Sequence, residues 1–110
     1  MKLCLVIAAD ARKRQDMRDA VEELGFITID AADGHCAYLS AHGLLPDVII
    51  CAKEGLPDVG GPELFGQLRV LRNGKKPFIL FADRPDINNL ARKFVRRNLL
   101  DEPVRMAFGI

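Results

Sequence analysis

The side chains able to do chemistry fall in short stretches that each follow an apolar run: Asp10 after the first, Lys53, Glu54 and Asp58 after another, Asp83 and Asp86 after a third, and Glu102 near the end. Carboxylates converging from such loops can hold a hard cation such as Mg²⁺ through oxygen, and one of them can attack a phosphoryl group. Here the acids do not pair up convincingly. Asp58 as phosphoacceptor, with Asp10 aiding Mg²⁺, is the arrangement to weigh, although two converging carboxylates and a nucleophile are hard to assemble here. A solvated loop acid or helix cap accounts for each more simply. Asp83 and Asp86 read as turn and cap residues, and Glu54 has no stronger case.

Other candidates carry less. His35 and His42 are seven residues apart, roughly 10 Å along a helix, too far for short side chains to share one metal. No metal site is expected. Cys4, Cys36 and Cys51 are an odd number at irregular spacing and give no disulfide framework. Cys51 lies near Lys53, which can activate a thiol, but no base or orienting acid accompanies it, so a buried structural thiol is the better reading. Arg12, Lys13, Arg14 and Arg18 form a basic cluster that could attract an anion, although no G-x-G-x-x-G turn is present to cradle a pyrophosphate.

The chain has 110 residues, 49% hydrophobic and 28% charged, with a formal net charge of +1. That length buries a core in one domain spanning 1–110. So balanced a charge gives no electrostatic reason to expect nucleic acid or an anionic membrane as partner. No apolar run reaches membrane-spanning length, and the opening Met1 to Ile7 is too short and β-like for a signal peptide. Cytoplasm is the expected compartment.

The elements that must position these residues follow from the hydrophobic period. Leu3 to Ala8, Val48 to Ala52 and Phe78 to Ala82 are continuous apolar runs, as in strands buried on both faces. Phe26 to Ala31 is a further strand, and Leu99-Leu100 a minimal fifth. Between them, Met17, Ala20, Val21 and Leu24 fall at helical spacing over Arg12 to Leu24, with Gly25 at the stop. Asp33-Gly34 breaks the chain before a short helix, Ala37 to Ala41, ended by Gly43. Gly60-Gly61-Pro62 opens a helix with Leu64, Leu68 and Leu71 on one face, ended by Asn73-Gly74. Asp86 caps a helix with Ile87, Leu90, Ala91 and Phe94 inward. Strict alternation implies right-handed βαβ units. The expected fold is therefore α/β: a flavodoxin-like doubly wound, five-stranded parallel sheet of order 2-1-3-4-5, its functional crevice at the carboxyl ends of the strands.

Several segments in their order resemble the receiver domain of two-component response regulators over nearly the whole chain: Glu23-Leu24-Gly25-Phe26, Pro46-Asp47-Val48-Ile49-Ile50, Leu56-Pro57-Asp58-Val59-Gly60-Gly61 with Glu63-Leu64, Lys76-Pro77-Phe78-Ile79-Leu80-Phe81, and Glu102-Pro103-Val104. The resemblance implies a site of paired acids, a nucleophilic aspartate, a hydroxyl and a lysine. This chain places Ala8 and Ala9 at the acids, Ala52 or Lys53 at the nucleophile, Ala82 at the hydroxyl and Glu102 at the lysine. All five functions are absent, so the resemblance implies a degenerate receiver with no catalysis, no cofactor and lost Mg²⁺ binding.

Three further expectations follow. Lys53 and Glu102 form a charge-swapped pair across the crevice. Arg92, Lys93, Arg96 and Arg97 make the fourth helix basic, and the resemblance places that helix on an output and dimerisation face suited to an acidic protein partner. Only Val104 to Ile110 remains for a fifth helix, so the sheet face it should cover is expected to be partly bare and to serve a homodimer or docking contact. The function expected is a phosphorylation-independent, receiver-like signalling domain acting through protein–protein contacts. The alternatives are the displaced phosphoacceptor and a sensor of small anionic ligands.

Overall fold

Apolar runs bounded by capped helices dictate the order of elements seen in the computed structural model, which describes residues 2–90 together with Phe94 and Leu99. They are β1 (Leu3–Ile7), α1 (Ala11–Glu23), β2 (Ile27–Ala31), α2 (Gly34–Leu44), β3 (Val48–Cys51), α3 (Gly61–Leu68), β4 (Phe78–Phe81) and α4 (Arg84–Ile87), with short 3₁₀ turns at Arg72–Gly74 and Asn88–Leu90. The four strands form one parallel sheet of order β2-β1-β3-β4. This is the flavodoxin-like arrangement expected. The fifth strand at Leu99-Leu100, Glu102, the basic group Arg92, Lys93, Arg96 and Arg97, and residues 101–110 lie outside the described residues, Leu99 itself excepted.

Alternation along the strands divides the core in two, because successive side chains point to opposite faces. Cys4, Val6, Val48 and Ile50 face α1 and meet Met17, Ala20, Val21 and Leu24. Leu5, Ile7, Ile49 and Cys51 face α2 and α3 and meet Ala37, Ala41, Leu64 and Leu68. The periodic positions read from the sequence are those that pack.

Several boundaries differ from expectation for identifiable reasons. Helix α2 begins at Gly34, where Asp33 caps it by accepting the Cys36 N–H at 2.7 Å. It then runs through Gly43 and stops at Leu45, whose φ of 51° puts it in the left-handed region. A glycine permits a helix end but does not impose one. Helix α3 is shorter than expected and ends at Leu68, yet Leu71 is still buried beyond it. Helix α4 begins two residues before Asp86. Its N-terminus is closed by the Asp86 carboxylate accepting the Asp83 N–H at 3.3 Å, the reach-back half of a capping box.

The main departure is where the chain goes after β4. Ile87, Leu90 and Phe94 pack into the core beside α1, and the Phe94 ring meets Phe26 and Phe78 edge to face at 5.5 and 6.1 Å. A right-handed crossover to a strand beyond β4 would instead carry its helix over the α2–α3 face. The expectation of a bare face therefore needs correction: the face beside α1 is filled by these three side chains. On the opposite face Phe81 stays 39% exposed at the β4 edge. Among the described residues no helix is long and apolar enough to cross a membrane.

Candidate functional site at the carboxyl edge of the sheet

Parallel pairing sets Ile7, Cys51 and Phe81 side by side at the ends of β1, β3 and β4. The next residues, Ala8, Ala52 and Ala82, continue that row. Their N–H groups donate to Ala31, Ile7 and Cys51 at 3.1, 2.9 and 2.9 Å, and all three are buried. Their methyls join the core beside α1, while Ala9 is the first residue to stand in solvent. Of the two candidates after β3, Ala52 shares the row with Ala8 and Ala82, and Lys53 is one step beyond it, exposed. A row of methyl groups offers neither a nucleophile nor an oxygen ligand.

Above the row, charges from three loops neutralise one another. The Lys13 ammonium, from the first turn of α1, lies 3.1 Å from Glu54 and 3.3 Å from Asp83. Lys53 donates its backbone N–H to Asp83 at 3.2 Å and places its ammonium 3.0 Å from Asp86. Lys13 is held above the ordinary lysine range, chiefly by its hydrogen bond to Glu54 and against partial desolvation. Lys53 is raised by Asp86, and Asp86 is correspondingly lowered by Lys53 and by the Asp83 N–H. Pairs this exposed add little stability. Their consequence is to fix the loops after β1, β3 and β4 relative to one another.

Among the described residues Lys53 pairs with Asp86, whose carboxylate the capping turn of α4 brings over the crevice; whether it also meets the expected partner lies outside them. Glu102 is among the residues not described. The two displaced acids are also engaged elsewhere. Asp10 caps α1, accepting the N–H groups of Arg12 and Lys13 at 2.8 and 3.0 Å, which lowers its pKa. Asp58 caps α2, accepting the N–H groups of Gly34 and His35 at 2.8 and 3.1 Å. They are attached to different helices and do not converge. Among the described residues no three His, Cys, Asp or Glu side chains come together to hold a metal ion.

The basic cluster at the mouth is likewise spent on internal partners. Arg14 and Arg18 reach Asp30 at 3.1 and 3.4 Å, Arg14 also donates to the Ala8 carbonyl at 2.8 Å, and Lys13 is paired as above. Of these four, only the Arg12 guanidinium makes no hydrogen bond or ion pair among the described residues. Burial raises Cys51 to about 11 and Cys4 further still, so neither is a ready thiolate at neutral pH. Sequence reasoning missed the role of Lys13, which was visible only as part of a cluster. The signal lay in opposite charges on loops of one sheet edge, Lys13 against Glu54 and Asp83.

No family model matches the sequence, and no curated protein does. Solved structures do match. The receiver domain of the hybrid histidine kinase CckA aligns with a TM-score of 0.64 at 22% identity, covering 88% of this chain and 98% of that one. The receiver domain of AraT, a response regulator from Geobacillus stearothermophilus, aligns at 0.68 and 16%, covering 88% and 95%. The response regulator domain of CheB from Thermotoga maritima aligns at 0.61 and 16%, covering 100% and 98%. The fold is therefore that of a response-regulator receiver domain.

Proposed function

We propose that this chain is a phosphorylation-independent, receiver-like signalling domain that works in the cytoplasm by binding another protein in two-component type signal transduction. It performs no catalysis and holds no Mg²⁺. The observation that carries this reading is the buried row Ala8, Ala52 and Ala82 beneath a self-neutralised set of loop charges. Phosphoryl transfer to a side chain needs a nucleophile and electrostatic stabilisation of the transferred group. A methyl supplies neither, and the Lys13 ammonium already sits between the Glu54 and Asp83 carboxylates. The displaced-acid alternative loses support because Asp58 and Asp10 serve as caps on separate helices. The anion-sensor alternative loses support because the basic mouth is paired internally.

The test is incubation of the purified chain with acetyl phosphate, with and without Mg²⁺, followed by intact-mass measurement. The expected spectrum is unchanged in both. A stoichiometric, Mg²⁺-dependent gain of one phosphoryl group would overturn the reading.

A further inference from the structure

Away from the carboxyl edge, helices α2 and α3 lie side by side and leave an open groove of about 350 Å³ between them. Its lining combines an aromatic face, acidic groups and an amide. Tyr38 is 43% exposed, with its ring packed against His42 at 4.3 Å between centroids. His42 is itself tied to α3 through the Gln67 carbonyl at 3.2 Å, so the tyrosine stands on a braced pair of helices. Glu63, in the first turn of α3, and Asp58 line the same groove, together with Gln67. Neither lysine nor arginine lines it.

The charges distinguish this groove from the crevice. Around the crevice Glu54, Asp83 and Asp86 each have an ammonium partner, and Asp30 has two guanidinium partners. Glu63 has no hydrogen bond or ion pair among the described residues. Asp58 uses one acceptor site on each oxygen for the N–H groups of α2, and a carboxylate has further lone pairs to offer. A metal is not the natural occupant, since no three ligating side chains converge among the described residues. The volume lies at the small end of ligand sites, enough for one extended side chain. A planar cation that stacks on an aromatic ring while forking onto a carboxylate is a guanidinium, which does both better than an ammonium.

We propose that the α2–α3 groove is a docking site for an arginine side chain of a protein partner, stacked on Tyr38 and ion-paired with Glu63. The site is independent of the alanine row, and its failure would leave the reading of the carboxyl edge untouched. Tyrosine and arginine are both enriched among the few residues that carry most of the binding energy at protein interfaces.

The probe is N-acetyl-arginine amide, titrated into the uniformly ¹⁵N-labelled chain and followed by amide chemical shifts. N-acetyl-lysine amide and N-acetyl-citrulline amide serve as comparisons. The expected result is saturable movement of the Gly34, His35, Tyr38 and Gln67 amides with the arginine compound, weaker movement with lysine and none with citrulline. Glu63→Gln should weaken the arginine effect about tenfold or more, as expected for a charge-assisted contact, and added salt should weaken it as well. Tyr38→Leu should weaken it while leaving the rest of the spectrum in place. Absence of movement at these amides, equal movement with citrulline, or full retention in Glu63→Gln would each overturn the proposal.

Discussion

Asp47 takes the Leu3 N–H on one carboxylate oxygen at 2.9 Å and the Lys75 ammonium on the other at 2.9 Å, joining the starts of β1 and β3 to the turn before β4. Burial pushes its pKa up, but the Leu3 N–H and Lys75 outweigh this and leave it lowered. Asp47→Asn should cost about 1–3 kcal/mol, the usual worth of hydrogen bonds to a charged group, measured by urea unfolding. Asp10, Asp33 and Asp86 are lowered too. For a carboxylate lowered by folding, the stabilisation is fully present above its unfolded value, near 3.8, and is lost as pH falls through the folded value. Stability should hold from neutral pH to about that value and fall below it, with a shallower fall in Asp47→Asn. At the crevice, Lys53→Met should let the Asp86 carboxyl rise toward its ordinary value in an NMR titration. No change there would show that the pair does not form in solution. Asp10 was legible from sequence as a cap candidate because short acids before helices cap them, whereas Asp58 precedes α3 but serves the start of α2, far back in the chain. Asp47 stood out only as part of a motif, since its partner Lys75 is far away in the chain.

At the scale of elements, the close approach of the loop after β3 to the start of α2 depends on a missing side chain. A Cβ on Gly34 would collide with Val59 Cγ1 and crowd Asp58, and valine is stiff at χ1 and cannot easily turn aside. Gly34→Ala should therefore destabilise by about 1–3 kcal/mol, as overpacking does. Adding Val59→Ala should recover part of the loss, so that a double-mutant cycle reports coupling. Strands and helix faces were readable because alternation and helical spacing record burial directly. Helix ends were not, because they depend on which backbone groups find partners. Gly43 looked like a stop and is passed over, whereas the stop falls at Leu45, a residue with no sequence signature for a left-handed backbone.

For the whole molecule, the route of the chain after β4 decides which surfaces are free. Phe94 is fully buried against Phe26 and Phe78 beside α1, and Phe94→Ala should cost about 3–5 kcal/mol in urea unfolding. A loss near zero would mean that the segment does not cover that face. Sequence periodicity found Ile87, Leu90 and Phe94 as one apolar face but could not say which side of the sheet it meets, since both sides offer apolar partners. The central proposal concerns the sheet's carboxyl edge, where three buried methyls lie beneath a set of loop ion pairs: that this edge accepts no phosphoryl group. It is tested most directly by amide NMR of the full chain titrated with Mg²⁺ and then with beryllium fluoride, which mimics a bound phosphoryl group. The account predicts that the amides of Ala8, Ala52, Lys53, Ala82 and Asp83 do not move. Saturable shifts at those amides that require both reagents would contradict it.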